Sequence, residues 1–163
     1  MYNLDMVNVR LVRERSLYSD DEIDTPKAAV NLLSRELADY DREALCIINL
    51  NAAGRPININ IASIGALDTC IASMKDIFKS CILSNAAGII MVHNHPSGML
   101  KPSQADIEVM EKLVRCGTVM EIQVVDGIIC GQDPGKYYSF VEDGRMERIR
   151  VNAGRAAEKG WER

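Results

Sequence analysis

Two histidines are all this chain has, and they stand two residues apart, as His93-Asn94-His95, at the end of the apolar run Ile89-Ile90-Met91-Val92. Alternate residues of an extended strand point to the same side, so the two imidazoles can converge on one point. Pro96-Ser97-Gly98 follows, and after a short loop Ser103-Gln104-Ala105-Asp106 opens a predicted helix. Asp106 can supply a third donor there. Two imidazoles and a carboxylate with one open position describe a catalytic zinc site. The chemistry this implies is hydrolysis by a metal-activated water.

Each of these residues also has a plainer reading. A histidine on an apolar face is more often a core residue than a ligand, but a pair at i and i+2 beside Pro-Ser-Gly, at a strand's end, favours ligands. Ser103-x-x-Asp106 after Pro102 is also a capping box, in which both side chains satisfy backbone N–H groups. Ser103 can cap and still face the site. For Asp106 the two roles compete, and the histidines just upstream favour the metal. A hydrolytic zinc site further needs a base that is not a ligand. Glu43 opens a predicted buried strand and can stand at the mouth of the sheet, although residue pattern alone does not separate it from Glu36.

The elements that must position these groups follow from hydrophobic periodicity. Met6 to Leu17 alternates loosely and reads as an edge strand, and Asp20-Asp21-Glu22 as an acidic turn. Thr25-Pro26 starts a helix, with Thr as N-cap and Pro at the first helical position, running to about Tyr40. Glu43 to Leu50 is apolar on both faces, as a buried central strand is. Asn51 to Arg55 turns, and Pro56 to Ser63 returns as the second arm of a hairpin. Gly65 to Cys70 connects to a helix over Met74 to Ala86, with Gly88 as its stop. Ala87 to Val92 is a second fully apolar strand, and it delivers the histidines to a strand terminus, where an α/β sheet opens its crevice. A helix over Ser103 to about Cys116, a strand over Glu121 to Cys130, and a strand over Lys136 to Val141 complete the pattern. Local turn chemistry would place a hairpin at Asp126-Gly127, and Gln132-Asp133-Pro134-Gly135 is an equally good turn.

The chain has 163 residues, 47% of them hydrophobic and 26% charged, which fits one α/β domain with an adequate core. A net charge of -4 gives no support to direct nucleic-acid binding, which usually shows a basic footprint. The five cysteines are scattered without a C-x-x-C pair, as buried free thiols in a reducing compartment are. The N-terminus lacks the blocks of a signal peptide, and no apolar run approaches a membrane span, so a cytoplasmic protein is expected. Residues 145–163 turn polar and weakly basic, with six basic and three acidic side chains. They are expected to be a solvated tail or frayed helix, with Trp161 docking elsewhere. The core domain therefore spans 1–144. No internal repeat is present.

His93-x-His95-Pro96 with Ser103-x-x-Asp106 seven residues on resembles the metal-binding signature of the JAB/MPN (JAMM) metallopeptidases. The fuller string His93-Asn94-His95-Pro96-Ser97-Gly98, with Pro102-Ser103 and Asp106, is similar to the RadC-like branch. Asp41-Arg42-Glu43, Gly65-Ala66-Leu67, Ile77-Phe78-Lys79 and Tyr137-Tyr138-Ser139-Phe140 add to the likeness, which covers roughly residues 25–142. The resemblance implies His93, His95 and Asp106 as zinc ligands and Glu43 as general base. It implies Ser103 as a hydrogen-bonding partner of the reacting oxygen. It also implies a three-layer α/β/α fold with a mixed central sheet, of cytidine-deaminase-like JAB/MPN architecture.

The implied function is a zinc-dependent metallopeptidase or isopeptidase acting on a peptide or protein. The alternative is a zinc-containing, non-catalytic interaction module beside DNA repair or mobile-element proteins. Two departures stand out. RadC-like chains commonly carry an N-terminal segment resembling a helix-hairpin-helix module, and none is read here. They also show Asp-His in the late strand, where this sequence has Asp126-Gly127. The resemblance favours one continuous strand there, with a bulge at Gly127 and the hairpin at Gln132 to Gly135. The H-x-E with P-C-x-x-C signature of the deaminases is absent, which excludes nucleoside deamination. A homo-oligomer paired through the strand at 6–17 is a further expectation.

Overall fold

The computed structural model describes residues 4–160 apart from 20, 21, 23, 66–72 and 134, and of residues 155–160 the backbone alone. Among these residues the chain forms, in order, α1 (Pro26–Leu37), β1 (Ala44–Leu50), β2 (Pro56–Ile64), α2 (Met74–Leu83), β3 (Gly88–Asn94), α3 (Gln104–Met120), β4 (Gln123–Cys130), β5 (Tyr137–Ser139) and α4 (Arg145–Gly160). The strands make one sheet in the order β2-β1-β3-β4-β5. β1 runs antiparallel to β2 and β3, β3 parallel to β4, and β4 antiparallel to β5.

The two apolar strands predicted to be buried on both faces are β1 and β3, side by side at the centre, with every residue buried. Period-two alternation sorts their side chains into two cores. Leu45, Ile47, Ile89 and Met91 face α2, α3 and α4, which contribute Ile77, Phe78, Met110, Leu113, Met146 and Ile149. Cys46, Ile48, Ile90 and Val92 face α1, which contributes Ala29, Val30, Leu33 and Leu37. The architecture is α/β, a mixed sheet between two helical layers. Parallel β3 and β4 need a crossover, and α3 supplies it.

Several boundaries differ from expectation. Residues 4–19 form no strand, so the edge strand expected over 6–17 is absent. A strand requires a neighbouring edge to bond with, and Met6, Val7, Val9 and Val12 instead stand exposed. Leu17, packed against the α1 core, and an Arg15–Glu36 ion pair help tie this segment down. α1 stops at Leu37 rather than Tyr40. α2 ends at Leu83, and Asn85 rather than Gly88 adopts the left-handed conformation after it. Gly88 opens β3 instead, where a Cβ would lie 3.2 Å from Val125 Cγ2. α3 runs one turn beyond Cys116, to Met120.

The bulge in β4 lies at Val125, not Gly127, because Ile89 pairs with Val124 and Ile90 with Asp126. Arg150 of α4 donates to both carbonyls beside that irregularity, Val124 O at 3.0 Å and Val125 O at 2.9 Å. Gly127 has another task. A Cβ there would stand 2.1 Å from Met110 Cε and 3.0 Å from Phe140 Cδ2, so glycine permits the close approach of α3. The hairpin between β4 and β5 falls at the later turn, as expected.

The polar tail is a packed helix in its first part. Met146, Ile149 and Ala153 are buried against the core, one apolar stripe being enough to dock a helix whose other faces are charged. The acidic turn at 20–22, the connector at 65–70, Pro134 and Trp161 lie wholly or partly outside the described residues. Among the described residues no helix is long and apolar enough to cross a membrane.

Candidate metal centre

β3 ends at Asn94, and its ladder with β4 is extended by His95 N–H donating to Cys130 O at 2.8 Å. His93, within β3, and His95, just beyond it, thus stand on the same face, that of the α3 layer. The chain then reverses in a turn closed by Gly98 N–H to His95 O at 2.9 Å. Gly98 takes φ +77°, a conformation that favours glycine. Gln132 donates to Pro96 O at 2.7 Å and pins the turn to the β4–β5 loop. α3 begins at Gln104, so Asp106 sits in its first turn, where a carboxylate is favoured by the helix dipole.

His93, His95 and Asp106 therefore meet, all three buried, with their donor atoms within 4.8 Å of one another, and could hold a metal ion. His93 Nε2 lies 3.1 Å from His95 Nε2 and 3.1 Å from Asp106 Oδ1, and His95 Nε2 lies 3.5 Å from Asp106 Oδ2. A tetrahedral ion with bonds of about 2.0–2.1 Å separates its donors by roughly 3.3 Å, so the spacing fits. His95 Nδ1 donates to Met99 O at 2.7 Å, which turns Nε2 toward the cluster. His93 Nδ1 is buried with no hydrogen-bond partner.

Capping and clustering coexist at Asp106 because the carboxylate has two oxygens. Oδ2 accepts from Ser103 N at 2.7 Å and Ser103 Oγ at 2.6 Å, while Ser103 Oγ accepts from Asp106 N at 3.2 Å. That is a complete capping box. Burial pushes the Asp106 carboxyl pKa up, but hydrogen bonds from His93, His95 and Ser103 outweigh it and hold the group well below the usual range. The hydrogen bond with Asp106 raises the His95 pKa against its burial, helped by the Met99 carbonyl and by the charges of Asp106 and Glu43.

Glu43 is half-buried just before β1. Leu45 pairs with His93, and continuing that antiparallel register sets Glu43 opposite His95. Ser103 stands at the cluster's rim, its hydroxyl proton directed at Asp106. Sequence reading missed two groups. The Met99 carbonyl that orients His95 leaves no trace in residue type. Asn94, 2% exposed, was in plain view between the histidines but was assigned no role.

Comparison with known proteins shows the family. The family model of the RadC-like JAB domain matches residues 23–145. A UPF0758 protein of Caldanaerobacter subterraneus subsp. tengcongensis is 37% identical over 124 residues, covering 72% of this chain and 53% of that protein. One from Clostridium acetobutylicum is 37% identical over 125 residues, 77% of this chain and 54% of the relative. One from Chlorobium chlorochromatii is 33% identical over 146 residues, 88% and 65% respectively. The chain spans about half the length of the first two.

Proposed function

This chain belongs to the RadC-like JAB domain family, and we propose that it is a zinc-dependent hydrolase of peptide or isopeptide bonds. The observation that carries the reading is the buried convergence of His93, His95 and Asp106 at zinc-donor spacing, with Glu43 alongside. Zinc held by those three residues would supply a Lewis acid that polarises an amide carbonyl and lowers the pKa of a water from about 15.7 to about 7.

The chain's own groups do the rest. Glu43 accepts the proton of the attacking water and returns it to the leaving amine. Asp106, kept ionised by its hydrogen bonds, and His95, kept in one tautomer by Met99 O, hold their donor atoms in place. The Ser103 hydroxyl turns its proton from Asp106 Oδ2 to the oxyanion, while the Ser103 N–H keeps the carboxylate oriented.

The test compares wild type with Glu43→Gln at matched zinc content on a broad panel of peptides and isopeptides. Wild-type hydrolysis should stop on chelation and return with zinc, and Glu43→Gln should lose about 10²–10⁴ in turnover. Equal hydrolysis by both proteins removes Glu43 from the chemistry. Hydrolysis that survives complete zinc removal removes the metal.

A further inference from the structure

We propose that Asn94 is the positioning residue of Glu43. Its side chain replaces a rung of the β1–β3 ladder at the point where the two strands part. Oδ1 accepts from Ala44 N at 2.7 Å, and Nδ2 donates to Arg42 O at 3.1 Å. The two bonds grip the backbone on either side of Glu43. Gly65 N–H closes the third side, donating to Glu43 O at 2.9 Å.

An ordinary ladder would not do this. β1 begins at Ala44, so Glu43 is one residue beyond regular pairing and would lose its direction as the strands diverge. The primary amide of asparagine carries both a donor and an acceptor, the pair that a backbone rung offers. Asn94 is 2% exposed, and its bond to Ala44 N is buried away from competing water, while the bond to Arg42 O is part-buried. Strand alternation adds the geometric reason. His93 and His95 point into the cluster, and Asn94 between them points to the opposite face, free of the ligand set. One tripeptide thus holds two of the cluster's donors and sets the backbone of the residue opposite.

The role of Glu43 as a base rests on the function proposed above, but its placement by Asn94 does not. Crystal structures of the full chain with zinc added, as wild type and Asn94→Ala, test the placement. In Asn94→Ala the Glu43 carboxylate should be displaced from its wild-type position beside His95 by more than a hydrogen-bond length, about 3 Å. Zinc affinity should stay within about threefold, against the 10–100-fold loss expected when a bond supporting a ligand is removed. Asn94→Ser, too short to span both partners, should give the same displacement and serves where the alanine variant does not fold.

On any substrate found by the panel, Asn94→Ala should lower kcat and leave KM unchanged. The double variant with Glu43→Gln should then be no slower than Glu43→Gln alone, since both changes act through one carboxylate. A Glu43 carboxylate that stays in its wild-type place in the variant that folds overturns the proposal, as does loss of zinc binding together with Glu43 order. Neither depends on activity. Absence of hydrolysis by the wild type would sink the enzymatic reading and leave this one standing.

Discussion

The two oxygens of Asp106 divide its work, Oδ2 to the helix cap and Oδ1 toward His93, and the division can be tested by substitution. In Asp106→Asn an amide oxygen still accepts from Ser103 N–H, so the helix start survives, whereas the anionic donor is lost. Zinc affinity should fall more than about 100-fold, beyond the effect of an outer-shell change. Ser103→Ala should do the reverse. It removes the cap, which is worth about 1 kcal/mol, and should lower Tm by about 2–4 °C while zinc affinity falls less than about tenfold. Calorimetric unfolding and zinc competition titration on both variants check this. Equal losses of zinc affinity in the two would mean that cap and cluster are one unit.

At the scale of elements, α3 meets β4 more closely than helix propensity would suggest. Gly117 lies inside the helix, where alanine is ordinarily better by about 1 kcal/mol. Here a Cβ would stand 2.5 Å from the Ile122 carbonyl, in the turn that returns the chain to β4. That turn is held by Ile122 N–H to Gly117 O at 2.9 Å and by Glu121 at φ 57°. Backbone cannot swing aside as a side chain can, so Gly117→Ala should destabilise by about 1–3 kcal/mol. Chemical denaturation reads the sign directly: a gain in stability would show that the turn yields easily.

For the molecule as a whole, α4 completes the core of the α2–α3 layer. It buries Met146 and Ile149 and places Arg150 on the β4 bulge. Truncation before Arg145 strips that layer. Losing the burial of the two side chains alone costs about 1.5–3 kcal/mol each, so the shortened chain should unfold at least about 6 °C lower. Thermal unfolding followed by circular dichroism checks this, and an unchanged Tm would show the helix to be dispensable. The basic residues of α4 are thus part of a structural helix, and any binding measured on such a truncation would be measured on a damaged fold.

The meeting of His93, His95 and Asp106 was legible because its signals are short-range. Two histidines at i and i+2 share a strand face, and Ser103-x-x-Asp106 marks a helix start, whatever the rest of the chain does. The two central strands were legible from apolar composition alone, since a strand covered on both faces needs no polar side. What tertiary structure decided depends on residues far apart in the chain. The expected strand at 6–17 has the alternation but no partner edge. The bulge fell at Val125, whose carbonyl is satisfied by Arg150, 25 residues on, and Gly127 leaves room for Met110. α4 became core rather than tail because three apolar residues in a polar sequence found a surface to cover. Asn94 reaches Ala44 across 50 residues, a pairing that only the antiparallel ladder of β1 and β3 creates. Residue types set which atoms are available for chemistry. Which of them face each other is a property of the register between strands, and no local pattern encodes it.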